Sequence, residues 1–327
     1  MTTTEILAKF HRLQALVVGD ICLDRWCRYD PALAEASRET GIPRIAVTAV
    51  ENTPGAGGTV ANNMAALGAG RVSVLGLIGN DGNGWELRNA LAARGIDSAL
   101  LVASPAMQTF TYTKLLNSRN NDEDQPRVDF VNAQDPPPEA EAAILARIRE
   151  HAPRFDVVMV SDQAETEAGG VVTAAVRDAI AGLALAHPGK VFWVDSRLRC
   201  ERFRHVIVKP NEREAREACE RAFGRIDFPA LRAMIGSRPM VVTRGDKGVE
   251  IWDGQGVQPV AGRGVTPVDI CGAGDSFSAG CSLALAASGS MADAARIGNL
   301  VASITSQKKG TGTASADEVR AAERGGA

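Results

Sequence analysis

Short apolar runs alternate along the chain with longer segments in which apolar residues recur at helical spacing. Six runs predict buried β-strands, at residues 16–20, 72–79, 157–161, 191–195, 206–209 and 240–243. The intervening segments predict α-helices at residues 57–70, 85–94, 140–151, 170–186 and 212–221. Strands that alternate with helices in this way indicate an α/β protein with a mostly parallel central sheet flanked by helices on both faces.

Two segments follow a different pattern, in which single apolar and polar residues alternate. Residues 41–49 and 108–116 are rich in Thr, Val and Ile, and this alternation predicts exposed antiparallel strands. We expect them to form a small projecting sheet, within segments of about 36–52 and 106–132, that acts as a lid over a site. The alternative is a pair of ordinary edge strands. No repeat or low-complexity linker divides the chain, so residues 1–327 are predicted to form one domain.

The composition narrows the classes of function. The chain has 327 residues, of which 45% are hydrophobic, enough for a large core. Its net charge of −3 and the lack of a basic patch argue against nucleic acid as a partner. It has no run of about eighteen apolar residues and no basic, apolar leader at its start, so we expect a cytoplasmic protein without a membrane partner. The cysteines form no CxxC pair and the histidines no HExxH, which argues against a structural metal site.

The segment from Gly272 to Asp275 carries the strongest chemical signal. Gly272, Ala273 and Gly274 come just before an apolar, Ala-rich stretch that ends at Ala287. This order predicts a loop that enters a helix, with free N–H groups and the positive end of the helix dipole forming an anion hole. Asp275 at its edge is positioned to act as a catalytic base, ionised at pH 7 if its pKa stays near the ordinary value. An N-capping turn is the alternative interpretation.

Other nucleotide and hydrolase motifs are missing from the sequence. There is no GxGxxG after the first strand, which argues against a dinucleotide-dependent dehydrogenase, and no GxxxxGK, which argues against a P-loop kinase. The segment 274–278 fails the GxSxG pattern of serine hydrolases at its last position. A phosphotransferase and a non-catalytic sugar- or nucleotide-binding regulator remain as the two classes of function.

The segment from Asp269 to Phe277 resembles the C-terminal signature of the ribokinase-like, or PfkB, carbohydrate kinases, although Ile270 and Cys271 depart from its usual residues. The resemblance extends over essentially the whole chain. It implies a ribokinase-like fold, transfer of the γ-phosphoryl group of ATP to a sugar hydroxyl, and Mg²⁺, with a monovalent cation such as K⁺ as a further candidate cofactor. It also implies a homodimer paired through the lid. Within the family, the chain is most similar to the kinase half of bifunctional enzymes that phosphorylate a heptose 7-phosphate.

The resemblance also implies a set of acceptor-binding residues. Asp24, after the first strand, corresponds to an aspartate that binds sugar hydroxyls, and a surface aspartate is the alternative. The family's glycine motif corresponds to Gly55, Gly57 and Gly58. Its sugar-binding asparagine is replaced here: one alignment puts Thr59 at that position, and a shifted register uses Asn62. The basic candidates for a phosphate on the acceptor are Lys114, Arg119 and Arg127, and a solvated charged loop is the alternative.

The implied nucleotide site uses later segments. Asn211 and Glu214 resemble the NxxE motif that organises Mg²⁺ and phosphate, and we expect them to hold the metal indirectly, through water. A helix capping box would use the same two residues, and both interpretations can hold together. Thr243, Gly245 and Gly248 resemble the strand and turn beside the nucleotide, and Asn299 resembles part of the adenine pocket.

Overall fold

The predicted parallel sheet is present in the computed structural model. Within the residues that the structure describes, 1–166, 168, 170–236 and 238–325, fourteen strands and ten α-helices are assigned. The strands are β1 Gln14–Gly19, β2 Ile21–Tyr29, β3 Val47–Ala56, β4 Arg71–Leu75, β5 Leu77–Gly79, β6 Val102–Ser104, β7 Thr111–Asn117, β8 Val128–Phe130, β9 Val157–Asp162, β10 Val191–Ser196, β11 Ile207–Val208, β12 Met240–Thr243, β13 Val249–Trp252 and β14 Val257–Val260. The helices are α1 Thr3–Leu7, α2 Gly57–Ala66, α3 Gly82–Ala92, α4 Pro138–His151, α5 Ala174–Ala186, α6 Glu212–Phe223, α7 Phe228–Ile235, α8 Ala273–Ser288, α9 Met291–Thr305 and α10 Ala316–Arg324.

The main sheet has the strand order β14-β13-β12-β11-β10-β9-β1-β4. Its strands pair in parallel from β4 to β12, and β13 and β14 add an antiparallel edge. Side chains of β1 alternate between two cores: Ala15 and Val17 pack on the side of α2, α8 and α9, whereas Leu16 and Val18 pack on the side of α4 to α7. Helices therefore cover both faces, and the buried strands are apolar on both sides.

The segments predicted to form a lid contribute strands to a second sheet with the strand order β3-β2-β7-β8, which we call the lid sheet. The strand prediction for 41–49 was wrong for its first six residues, because the strand begins at Val47 and continues to Ala56. The second predicted strand runs from Thr111 to Asn117, and the antiparallel prediction holds only for its pairing with β8, because it pairs in parallel with β2. The sequence pattern missed the central strand β2, which carries Asp24 and follows β1 after the turn at Asp20. None of the helices in the described ranges has the length and hydropathy that a membrane span requires.

The turn between β1 and β2 joins the two sheets and holds a third segment. The buried Asp20 carboxylate accepts hydrogen bonds from the backbone N–H groups of Gln163, Ala164 and Val171, at 2.7, 2.9 and 2.9 Å. Charge-assisted bonds of this kind are strong. These three residues, which follow β9, are therefore held beside the junction of the lid sheet and the main sheet, at the carboxyl ends of the parallel strands.

Candidate active site

The anion-hole candidate lies at the start of α8. Gly272 has φ +77°, in the left-handed region that favours glycine, and this turn aims the chain into the helix. The N–H of Ala273 donates to the carbonyl of Ile270 at 3.2 Å, so the expectation that it is free was wrong. Among the described residues, the N–H groups of Gly272, Gly274 and Asp275 find no acceptor. These three N–H groups, with the helix dipole, can therefore hold an anion.

Two cavities meet at this helix start. The first, of about 770 Å³, lies between the lid sheet and the carboxyl ends of the main sheet, and we call it the lid cavity. The second, of about 790 Å³, lies between the antiparallel edge of the main sheet and the helices α8 and α9, and we call it the edge cavity. Gly272 and Asp275 line the lid cavity, whereas Ala273 and Gly274 line the edge cavity. An anion at the α8 terminus is therefore reachable from both sides.

Asp275 has an unusual electrostatic environment. Burial and the nearby Asp195 raise its pKa to about 7, and the positive charges of Lys209 and Arg197 oppose this rise. The expectation of an ordinary pKa was therefore wrong, because desolvation disfavours the charged carboxylate. A carboxylate with a pKa near neutral pH is well suited to accept a proton from a hydroxyl.

A buried ion pair supports the same loop from inside the protein. The Lys209 ammonium lies 2.9 Å from a carboxylate oxygen of Asp195, and both residues are buried. The Ser278 hydroxyl donates to the same oxygen at 3.2 Å. A Cβ atom on Gly274 would lie 3.5 Å from the Lys209 ammonium, so the pair sits directly behind the anion hole. Sequence reasoning missed both residues, although each follows or ends a parallel strand, where ligand-binding residues of α/β sheets collect.

The lid sheet contributes Asp24 to the lid cavity. Burial raises the Asp24 pKa to about 6, and the charges of Lys114 and Arg127 oppose the rise. Gly55 on β3 pairs with Cys22, two residues before Asp24 on β2, and a Cβ atom on Gly55 would lie 2.3 Å from an Asp24 carboxylate oxygen. Gly55 is therefore required to make room for this carboxylate rather than to touch the cavity itself.

Lys114 lies on β7 and lines the lid cavity. Its ammonium is 3.3 Å from a Glu123 carboxylate oxygen and 4.8 Å from the centre of the Trp26 ring. Both the Trp26 ring and the Glu123 carboxylate stabilise the positive charge of Lys114. A phosphate on the acceptor must therefore compete with Glu123 for the ammonium.

Arg127 lies just before β8 and also lines the lid cavity. Its guanidinium is 2.7 Å from a carboxylate oxygen of Asp129 and 5.1 Å from the centre of the Tyr112 ring. The third basic candidate, Arg119, lies in an exposed turn and lines neither cavity. The structure thus brings two of the three predicted cations to the site.

The glycine motif forms the start of α2. Thr59 lines the lid cavity and its hydroxyl donates to the carbonyl of Pro54 at 3.3 Å, while Asn62 lines neither cavity. Of the two registers left open by the sequence, the geometry brings Thr59 to the cavity. Gly57 and Gly58 line neither cavity. A Cβ atom on Gly57 would lie 2.7 Å from Ile21 Cδ1, and one on Gly58 would lie 2.6 Å from Pro54 Cβ. The two glycines therefore permit close packing of α2 on the lid strands.

Asn211 and Glu214 form the capping box of α6. The Asn211 side chain accepts from the Glu214 N–H at 2.9 Å, and the Glu214 carboxylate accepts from the Asn211 N–H at 2.8 Å. Neither side chain lines the two cavities. Burial raises the Glu214 pKa, and the charge of Lys209 opposes the rise.

The other predicted nucleotide residues line the edge cavity, namely Thr243, Gly245, Gly248 and Asn299. Gly248 has φ +88°, and a Cβ atom there would lie 2.2 Å from the Val260 carbonyl oxygen, so no other residue fits. The Asn299 amide donates to the Ala261 carbonyl at 3.0 Å and ties α9 to the edge of the main sheet. Apolar side chains such as Phe277 complete a wall that suits a flat aromatic base.

Three further side chains of the lid cavity escaped the sequence prediction. Gln163 and Glu165 lie on the loop after β9, and Arg197 follows β10. The Arg197 guanidinium forms an ion pair with the Glu165 carboxylate. Their position after adjacent parallel strands was the signal that could have identified them.

Comparisons with known proteins identify the family and the fold of this chain. The model of the pfkB family carbohydrate kinases matches residues 14–134 and 192–318. The curated bifunctional protein HldE of Caulobacter sp. (strain K31) is 34% identical over 97% of this chain and 64% of its own length. The chain therefore spans slightly less than two thirds of that relative.

Solved structures share the fold at low sequence identity. Ribokinase from Thermotoga maritima has a TM-score of 0.69 and 18% identity, covering 95% of this chain and 99% of that one. Phosphofructokinase-2 from Escherichia coli, solved in complex with potassium, has a TM-score of 0.71 and 18% identity, covering 95% and 98%. The predicted ribokinase-like α/β fold is confirmed, and the chain belongs to the pfkB family of carbohydrate kinases, which are phosphotransferases.

Proposed function

We propose that this protein transfers the γ-phosphoryl group of ATP to a hydroxyl of a sugar phosphate, with a heptose 7-phosphate as the candidate acceptor. One observation carries the proposal: the N-terminus of α8 separates two cavities, and Asp275 faces only one of them. The edge cavity suits the nucleotide, whose phosphates reach the free N–H groups. The lid cavity suits the acceptor, whose hydroxyl reaches Asp275.

The side chains support a direct transfer between the two substrates. The Asp275 carboxylate takes the proton of the acceptor hydroxyl while the hydroxyl oxygen forms a bond with the γ-phosphorus. The bond from that phosphorus to the bridging oxygen breaks, and ADP is the leaving group. The free N–H groups of Gly272 and Gly274 stabilise the charge that develops on the phosphoryl oxygens.

Mg²⁺ would neutralise charge on the phosphates of ATP when it is bound. No group of three or more His, Cys, Asp or Glu side chains that could hold a metal occurs among the described residues. This fits a cation that keeps several waters and takes few protein ligands. Glu214 uses one carboxylate oxygen in the capping box, so its other oxygen can accept from a metal-bound water. Asn211 then orients Glu214.

A monovalent cation such as K⁺ remains a candidate cofactor because phosphofructokinase-2 was solved with potassium.

The acceptor class follows from the charges of the lid cavity. Asp24 can accept hydrogen bonds from vicinal hydroxyls, and Lys114 and Arg127 lie close enough to influence its pKa. A polyol with a phosphate at one end would match one carboxylate and two cations. Against this, both cations already have carboxylate partners, which favours a kinase of an unphosphorylated sugar as the second candidate.

A panel assay separates the two candidates. ADP release would be measured with heptose 7-phosphate, hexose and pentose phosphates, the matching free sugars and nucleosides, with Asp275→Asn as the inactive control. A higher kcat/KM for the phosphorylated member of each pair supports the proposal. Equal or better use of the free sugars contradicts it. If ATP is not consumed with any member of the panel, the remaining interpretation is a non-catalytic regulator.

We also propose that two copies pair through the lid, in the cytoplasm where ATP is available. Val50 on β3 and Val128 and Phe130 on β8, the two edge strands of the lid sheet, are exposed by 47, 51 and 37%, and exposed apolar side chains of this size favour a protein interface. Analytical ultracentrifugation of Val50→Lys beside the unmodified chain tests this. A monomer only in the variant supports pairing, and identical sedimentation contradicts it.

A further inference from the structure

Arg197 differs from the other basic side chains of the lid cavity. Arg25, Lys114 and Arg127 come from the segments of the lid sheet, whereas Arg197 comes from the main sheet, directly after β10. Its backbone N–H donates to the carbonyl of Asp162 at 3.0 Å, and this hydrogen bond fixes the backbone position from which the side chain extends. Among the described residues that line this cavity, it is the only cation on the same side as the start of α8.

The guanidinium of Arg197 lies near the path of the phosphoryl group. It lines the same cavity as Gly272 and Asp275. Its charge opposes the rise of the pKa at Asp275 and also at Glu214, so the guanidinium lies within electrostatic reach of both carboxylates. A cation in this position faces the point at which the acceptor hydroxyl and the transferred group meet.

The partner of Arg197 can be exchanged. The ion pair with Glu165 is open to solvent, with side-chain exposures of 46% for Arg197 and 55% for Glu165. Exposed ion pairs are weak, so a phosphoryl group can replace the carboxylate at little cost. Lys209 offers a contrast, because its ammonium is buried against Asp195 and does not line the cavity.

We propose that Arg197 leaves Glu165 during the reaction and contacts the transferred phosphoryl group, which makes it a catalytic residue supplied by the chain itself. This inference rests on the proposed kinase function. The planar guanidinium donates two parallel hydrogen bonds, a geometry that matches two oxygens of a phosphoryl group. Arg197 stays protonated throughout. It donates hydrogen bonds only, while the proton of the acceptor goes to Asp275.

The test compares Arg197→Ala and Arg197→Lys with the full chain. We expect Arg197→Ala to lower kcat by about 10²–10³-fold with small changes in KM, because the contact forms only as charge develops. Arg197→Lys keeps the positive charge but lacks the planar guanidinium that donates two parallel hydrogen bonds. Its kcat should therefore be about tenfold higher than that of Arg197→Ala. The second readout is binding of Mg²⁺–ADP with and without aluminium fluoride, a mimic of the transferred group. Arg197→Ala should weaken the aluminium fluoride complex at least tenfold and leave ADP affinity within about twofold.

The matched control is Arg202→Ala. Arg202 is exposed at the end of the same connection and makes no side-chain hydrogen bond or ion pair with a described residue. Its replacement should leave both readouts unchanged. A kcat of Arg197→Ala within threefold of the full chain overturns the proposal. So does a raised KM for a phosphorylated acceptor at constant kcat, since Arg197 would then bind the acceptor. If the unmodified chain phosphorylates no sugar, the proposed function fails, whereas the aluminium fluoride measurement still tests Arg197.

Discussion

The edge cavity and the lid cavity are built in different ways. Backbone geometry shapes the edge cavity, where Gly248 has φ +88° and the chain passes 2.2 Å from the place of its missing Cβ. Side-chain charge shapes the lid cavity, where Lys114, Arg127 and Arg197 each contact a carboxylate. The difference teaches that the backbone of the fold can define the proposed nucleotide site in the edge cavity. Selectivity for the acceptor in the lid cavity then depends on polar side chains from the lid sheet and from loops.

The sharpest way to break this comparison is to remove the base at the boundary of the two cavities. Asp275→Asn should lower kcat by about 10²–10⁴-fold, because the amide cannot accept the hydroxyl proton. ADP affinity should stay within about twofold, since Asp275 faces the lid cavity only. Steady-state kinetics and calorimetric titration with ADP measure the two effects. Asp293→Asn, in the first turn of α9, is the control. Turnover near that of the unmodified chain would exclude Asp275 as the base.

The dependence of activity on pH sharpens the same point. Because burial raises the Asp275 pKa to about 7, the carboxylate is largely protonated at pH 6 and ionised at pH 8. A base works only when ionised, so kcat/KM should fall about tenfold for each pH unit below 7 and reach a plateau above it. Initial rates from pH 5.5 to 9 at saturating Mg²⁺ test this. A profile that is flat down to pH 5.5 would mean that the carboxylate keeps an ordinary pKa in the working enzyme.

A pair of glycine substitutions separates backbone geometry from side-chain space. Gly272→Ala forces a Cβ into the left-handed region at a cost of about 1–2 kcal/mol, and it should lower both thermal stability and kcat, the latter about tenfold. Gly274→Ala keeps helical angles, and its Cβ would make an ordinary contact, so its melting temperature should stay close to that of the unmodified chain. Calorimetry and initial rates distinguish the two. Equal stability of both variants would show that the turn at Gly272 is not strained.

The smallest expected effect concerns the acceptor end of the lid cavity. Arg127→Ala should raise KM for the phosphorylated acceptor about five- to tenfold, since part of the guanidinium charge is already taken by Asp129. KM for ATP should not change. Arg119→Ala is the matched control because Arg119 is exposed and outside both cavities. If both variants raise KM equally, general surface charge rather than a phosphate contact explains the effect.

The sequence was informative where backbone constraints leave local marks. The glycines at 272 and 248 and the helix start at Ala273 could be located because conformational freedom and N-terminal helix position are properties of short segments. The sequence was uninformative where distant residues meet. The pair Arg197 and Glu165, like the pair Asp195 and Lys209, depends on which strands lie next to each other, and no local pattern specifies this. The strand β2 was missed for a related reason: its charged side chains Asp24 and Arg25 line the lid cavity, so apolar and polar residues do not alternate simply.

The buried pair behind the anion hole also limits how this protein can change over generations. Loss of Lys209 alone would leave the buried Asp195 carboxylate without its ammonium partner and beside Asp275, at a cost of about 3–5 kcal/mol. A lineage that replaces one of them must replace the other at nearly the same time or pass through a poorly folded intermediate. We therefore expect the two positions to change together, although one lies on β10 and the other follows β11.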